Sequence, residues 1–273
     1  LNSMQYKKVL QNFFILIFLT LSSKTTFAQS YKNIDIPCDV KECMPEWGPT
    51  NTRWYTGDGN KKKPAIIWYA GGAGTYVDAN YQPISNLIGK FDIIMVKSPL
   101  PVKPGPDGIP NGAFDEKATY RMRQSTEYYK KILNKPIWLG GISYGGLRMI
   151  SVLSGTERQS DNYAGLIFSS IAHSVHKRGS AQYWTGIEGI KYEMNLPILI
   201  FQHERDQHEY TNPKGQKWFR DDVKKKNLNK TDLIFLTEGN PEITAIDGGH
   251  HWFLSNKDEV ARVVENFIMD NSK

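Results

Sequence analysis

The run Gly140-Gly141-Ile142-Ser143-Tyr144-Gly145-Gly146 constrains this chain more than any other feature. It follows Lys135-Pro136-Ile137-Trp138-Leu139, a short apolar run that reads as a buried strand. Residues 146–154 (GLRMISVLS) come next, with the apolar spacing of a helix. The glycines have a physical job at such a junction. A serine on a sharp strand-to-helix turn is backbone-strained, and only hydrogen side chains let the neighbouring segments approach closely. The turn lifts the hydroxyl to the tip of a sheet, above a helix N-terminus that favours developing negative charge. Strand, G-x-S-x-G, helix is the context that a nucleophile elbow requires.

The rest of the chain alternates in the same way. Ala65–Tyr69, Phe91–Val96, Tyr163–Ser169, Leu196–Gln202 and Leu233–Leu236 read as strands. Tyr81–Ile88 reads as a short helix. Asp115–Leu133 (with Asp115 as N-cap), Pro213–Lys226 and Lys257–Met269 read as longer ones. Residues 29–63 suggest short edge strands and turns. Ser98–Gly112, with five prolines and three glycines, reads as a stiff loop. Residues 172–196 show no strand pattern. Strands alternating with helices imply an α/β fold, a mostly parallel sheet flanked by helices on both faces. Ligands bind such sheets outside the carboxyl ends of the strands.

From about residue 64 onward the elbow and this alternation resemble the α/β-hydrolase family. The resemblance implies hydrolysis of an ester, amide or related acyl bond by a serine nucleophile, Ser143. It also implies the chain order nucleophile, acid, histidine. Asp206, in His203-Glu204-Arg205-Asp206 after a late strand, matches the acid, with Glu204 as the alternative. Asp247-Gly248-Gly249-His250-His251-Trp252 matches the Gly-Gly-His loop; His250 fits by position, and His251 is the alternative. His173, His176, His203 and His208 read as satisfied loop or surface histidines. The oxyanion donors fall on Tyr144 and, in the loop Tyr69-Ala70-Gly71-Gly72-Ala73-Gly74, on Gly72 or Ala73. Alanine stands at residue 70 where the family's loop carries histidine. Residues 172–196 occupy the place of a cap, here a short insertion. Tyr183, Trp184 and Trp252 are the candidate substrate-binding residues, and Tyr192 could add to the same apolar wall.

The first 28 residues read separately. Lys7-Lys8, an apolar stretch from Val9 to Leu21 and Thr26-Phe27-Ala28 form a signal peptide, with cleavage expected after Ala28. The apolar stretch is too short for a comfortable membrane span. Residues 29–273 are then one hydrolase domain, exported to a periplasm or secreted. Cys38 and Cys43 read as a disulfide in that oxidising compartment. The net charge of +6 includes three leader lysines, leaving a mild +3 without a basic stripe, so nucleic-acid binding is not indicated. Lys61–Lys63 and Lys224–Lys226 read as solvated turns or helix ends. No H-E-x-x-H, G-x-G-x-x-G or P-loop pattern occurs, so neither a metal nor a cofactor is implied.

Three functions follow from different classes. The first is an exported serine esterase acting on a small-molecule carboxylic ester through an acyl-enzyme. The second is a serine peptidase acting on short peptides, which would need acids such as Glu188 or Glu193 near the pocket. The third is a non-catalytic binding protein on a hydrolase scaffold.

Overall fold

Eight segments rich in apolar, β-branched and aromatic residues pair into one sheet: β1 (Tyr31–Ile36), β2 (Thr50–Tyr55), β3 (Ala65–Tyr69), β4 (Asp92–Val96), β5 (Ile137–Ile142), β6 (Gly165–Ser169), β7 (Ile198–His203) and β8 (Thr231–Leu236). The computed structural model describes residues 30–38, 41–43, 48–71, 78–97, 103–104, 110–111, 116–172, 174–175, 183–184, 186–208, 211–240, 251 and 253–272. The strand order is β1-β2-β4-β3-β5-β6-β7-β8. β2 runs antiparallel to β1 and β4, and every other adjacent pair is parallel.

Parallel strands need crossover connections, and helices supply them. α1 (Glu116–Leu133), α2 (Tyr144–Leu153) and α3 (Pro213–Lys224) cover one face. α4 (Lys257–Asn271) and the 3-10 turns Ala79–Tyr81 and Pro83–Leu87 cover the other. The strand period of two divides the core accordingly. Ile137 and Leu139 of β5 pack with Leu147, Ile150 and Phe219 on the first face. Trp138 and Ile142 pack with Val264, Phe267 and Ile268 on the second. β3, β4, β5, β6 and β7 are buried along their whole lengths, which is why they read as unbroken apolar runs.

The amino ends of the central strands carry a buried ion pair. Lys135, just before β5, sits 2.5 Å from Asp92 Oδ2 at the start of β4. Asp92 Oδ1 accepts from the Trp54 indole at 3.0 Å and the Gly57 amide at 3.2 Å. Burial alone would raise the Asp92 pKa, but the Lys135 ammonium and these hydrogen bonds outweigh it and hold the carboxyl below its ordinary value.

Several local readings change. The expected helix over Tyr81–Ile88 is two 3-10 turns, because Gln82 precedes Pro83 and stays extended (φ −91°, ψ 154°). The 172–196 insertion holds a two-residue hairpin, Ser174–Val175 with Tyr183–Trp184. The proline-rich loop likewise pairs Lys103–Pro104 with Pro110–Asn111. β7 reaches His203, one residue further than expected. The leader and Asp115 lie outside the described residues. Cys38 is buried, and the Cys43 side chain lies outside the described residues. No helix among the described residues is long and apolar enough to cross a membrane.

Lys135→Met should lower the unfolding free energy in urea by about 3 kcal/mol, since it strands a buried carboxylate. A depressed carboxyl pKa contributes stability above about pH 4, and that contribution fades as pH falls through the depressed value. The stability gap between the variant and the wild type should therefore be full near neutral pH and narrow as pH falls below about 4. An unchanged urea midpoint would contradict this account.

Candidate active site

Ser143 ends β5 and opens α2 with φ 56° and ψ −123°. This left-handed conformation costs an L residue about 1–3 kcal/mol and persists only where its surroundings enforce it. Here they do. The Ser143 amide donates to the Ser169 carbonyl at 3.0 Å, and its own carbonyl accepts from Gly146 at 3.0 Å and Ala172 at 3.2 Å. Sterics complete the constraint. A Cβ on Gly141 would lie 2.7 Å from the Gly145 carbonyl carbon, and one on Gly145 would collide with the Tyr69 carbonyl oxygen. Both glycines of the G-x-S-x-G motif thus allow α2 to press its first turn against β5 and β3. Serine is a strong N-cap residue, yet the Ser143 side chain makes no capping bond.

Strain gathers at this rim. Positive φ occurs at Ser143, at Ser170 (φ 41°) just after β6, and at Phe253 (φ 56°) just after the histidine loop. A fourth non-glycine case, Asn134 (φ 49°), closes α1, where asparagine commonly ends a helix.

The acid turn is built on His203. Its Nδ1 accepts from the Arg205 amide at 3.0 Å, so its proton sits on Nε2 and points to the Glu238 carbonyl at 3.2 Å. The Asp206 amide then donates to the His203 carbonyl at 3.1 Å, and the turn directs Asp206 inward, to 3% exposure. Asp206 Oδ1 accepts from the His208 amide at 2.9 Å. Oδ2 accepts from Gln202 Nε2 at 2.7 Å, Thr211 Oγ1 at 3.0 Å and His251 Nδ1 at 3.1 Å. Burial pushes this carboxyl up, but the hydrogen bond and charge of His251, with the His208 and Gln202 donors, hold it below the ordinary value. Asp206 is therefore an anion at neutral pH. Glu204 is exposed and lies 3.7 Å from the Arg205 guanidinium.

The imidazole brought to Asp206 is that of His251. His250, the residue expected by position, lies outside the described residues. The His251 ring is 4% exposed, and one face stacks on the exposed His208 ring at 4.8 Å and 19°. A carboxylate only accepts, so Nδ1 of His251 carries a proton, and in the neutral ring the lone pair is then on Nε2. The surrounding segment is clamped. The Asn240 amide donates to Ser255 Oγ at 2.9 Å, closing the loop. The Glu259 carboxylate accepts from the Thr237 and Glu238 amides and from Asn256 Nδ2, tying α4 to the end of β8. Phe253 packs against Phe201 of β7 at 5.3 Å.

Ser143 follows β5 and Asp206 follows β7, two strands away and about 10 Å across the sheet. That gap suits an imidazole with a hydrogen bond at either edge. Tyr144, the first residue of α2, sits beside Ser143. Gly72, Ala73 and Trp252 lie outside the described residues, and so do the side chains of Tyr183 and Trp184. Tyr192 is not part of an apolar wall at this rim. Its hydroxyl donates to the Leu153 carbonyl at 2.8 Å and accepts from the Ser160 amide, at the far end of α2. Glu188 and Glu193 are exposed on the same stretch, whose backbone bonds to Gly155. They are separated from Ser143 by the ten residues of α2, about 15 Å. No group of three or more His, Cys, Asp or Glu among the described residues is arranged to hold a metal ion.

No protein-family model matches the sequence, and no curated protein matches it. Solved structures do. Est1E from Butyrivibrio proteoclasticus superposes with a TM-score of 0.55 at 16% identity, covering 87% of this chain and 99% of that one. XC6422 from Xanthomonas campestris, described as an a/b serine hydrolase without lid, gives 0.53 at 10% identity over 90% and 97%. The chain has the α/β-hydrolase fold. Oligopeptidase B from Leishmania major matches with a TM-score of 0.54 at 11% identity, covering 89% of this chain and 36% of that longer one.

Ser143, Asp206 and His251 follow one another in the chain order serine, acid, histidine that the sequence resemblance implies. Sequence reasoning missed Gln202, His208 and Thr211 as partners of this cluster. Gln202 left one signal, a polar side chain ending an otherwise apolar strand. Thr211 left none, because its partners lie five and forty residues away.

Gly145→Ala tests the steric basis of the elbow. Forcing a methyl group against the Tyr69 carbonyl should cost about 1–3 kcal/mol of stability. Thermal unfolding measures it, and a variant as stable as the wild type would refute the close approach.

Proposed function

We propose that this chain is a serine hydrolase that cleaves a carboxylic ester through an acyl-enzyme. What carries the reading is a strained, uncapped Ser143 at one strand end, with a buried Asp206–His251 pair two strands along the same rim. In the proposed mechanism His251 Nε2 takes the Ser143 proton as the oxygen attacks the substrate carbonyl. Backbone amides of Tyr144 and of Gly72 or Ala73 are the proposed donors to the oxyanion. His251 then protonates the leaving alcohol. Water, deprotonated in turn by His251, releases the acid. Asp206 keeps the imidazole in the Nδ1–H tautomer and stabilises the imidazolium that forms in each half-reaction.

The likeness to the Pyrococcus furiosus esterase Pf2001 supports an ester as substrate, and the likeness to oligopeptidase B keeps a peptide bond as the second reading. Glu188 and Glu193 argue against an aminopeptidase, because neither is near the elbow. Tyr183, Trp184 and Trp252 remain the proposed substrate contacts. Export belongs to the same reading: a leader cleaved after Ala28, and a Cys38–Cys43 disulfide pinning the mature N-terminus. N-terminal sequencing of the secreted product should then start at Gln29, and a product retaining Phe13–Leu19 would contradict cleavage.

Turnover of short p-nitrophenyl esters against aminoacyl arylamides tests the substrate class. Ester turnover that disappears in a folded Ser143→Ala variant is the expected result. Arylamide turnover alone would favour the peptidase. Near-normal ester hydrolysis by the Ser143→Ala variant would remove Ser143 as nucleophile, and no turnover of either by the wild type would favour a binding protein.

A further inference from the structure

We infer that the Thr211 hydroxyl is a positioning group for His251, a hydrogen-bond bridge that locks the Asp206–His251 pair and selects the imidazole tautomer. This inference rests on the serine-hydrolase reading above. Thr211 is fully buried. Its Oγ1 lies 3.0 Å from Asp206 Oδ2 and 3.1 Å from His251 Nδ1, and those two atoms are themselves 3.1 Å apart. The three polar atoms form a nearly equilateral triangle.

Counting protons fixes the roles. The carboxylate can only accept, so the single hydroxyl proton goes to Oδ2. The hydroxyl oxygen then turns a lone pair toward Nδ1. Only an Nδ1 that carries hydrogen is tolerated there, and its proton is shared between Oδ2 and Oγ1. The other tautomer would set the Nδ1 lone pair against Oδ2. The hydroxyl could answer that lone pair only by withdrawing its proton from a buried anion. Thr211 and Asp206 together thus leave Nε2 as the basic nitrogen.

The hydroxyl has no competing duty in the helix that follows. The N-cap of α3 is Asn212, whose Oδ1 accepts from the Gly215 amide at 3.0 Å, and Pro213 follows at the first helical position. The Thr211 backbone is held independently, its amide donating to the His208 carbonyl at 3.1 Å. The bridge should matter most when the ring becomes cationic, because charge-assisted bonds are the stronger ones. Its loss therefore slows the chemical step more than it weakens substrate binding.

The test compares wild type, Thr211→Val and Thr211→Ser with a p-nitrophenyl ester, counting active sites with a fluorophosphonate. Thr211→Val should lower kcat per titrated site about tenfold with KM unchanged, the worth of one buried hydrogen bond to a charged group. Thr211→Ser should restore most of the rate. In proton NMR the downfield Nδ1–H resonance of His251 should persist in the serine variant and move upfield in the valine variant. Thr211→Ala takes the place of the valine variant if that protein does not fold. A hydroxyl-free variant with wild-type kcat, or a serine variant as slow as valine, would overturn the inference. A wild type that neither labels nor turns over ester would instead remove the serine-hydrolase reading. The Nδ1–H resonance would still decide whether the bridge exists.

Discussion

The architecture at the carboxyl rim depends on one close approach, the first turn of α2 pressed against the backbone of β3 and β5. Gly145 meets the Tyr69 carbonyl with only a hydrogen between them, and Gly141 meets the backbone of Gly145 in the same way. This contact fixes where α2 begins, and so compels Ser143 into a left-handed conformation. The resulting strain is small beside the apolar surface buried by β3, β5 and β6, whose side chains are shielded on both faces. The same contact keeps the chain leaving β3, where the oxyanion loop is expected, next to the helix N-terminus. Ser143 and the proposed oxyanion donors are therefore positioned by one packing event.

A second constraint acts two strands away. Asp206 is buried and ionised, and a buried anion must be answered by donors. Four answer it: Gln202 from within β7, the His208 amide from its own turn, Thr211 from the approach to α3, and His251 from the segment before α4. The carboxylate consequently joins four stretches of chain at one point. His203 beneath it, bonded to Glu238, and Glu259, bonded to the end of β8, tie the acid turn and the start of α4 to the same strand end. Such a site is stiff because each partner is itself fixed. That stiffness is what the proposed proton transfer would require.

Much of this was legible in the sequence because it is written locally. Strand, elbow and helix follow one another within about twenty residues, and each signal (apolar run, paired glycines, helical spacing) occupies its own stretch. Asp206 was legible because strand-end turns are short and only two carboxylates occur there. The choice between His250 and His251 was not legible. The two histidines are adjacent, and the contact of His251 with Asp206 and Thr211 is made to residues forty or more positions away, which leave no motif beside it. Chain position alone cannot say whether Tyr192, Glu188 and Glu193 lie near the elbow. Backbone pairing to Gly155 carries that stretch to the opposite end of α2.

The central claim is that Ser143 and the Asp206–His251 pair form one catalytic unit. Intact-protein and peptide mass spectrometry after exposure to a fluorophosphonate tests it most directly, applied to the wild type, His250→Ala and His251→Ala. The account predicts an adduct on Ser143 in the wild type and in His250→Ala, and none in a folded His251→Ala. Undiminished labelling of the His251 variant, or an adduct on any other residue, would contradict it.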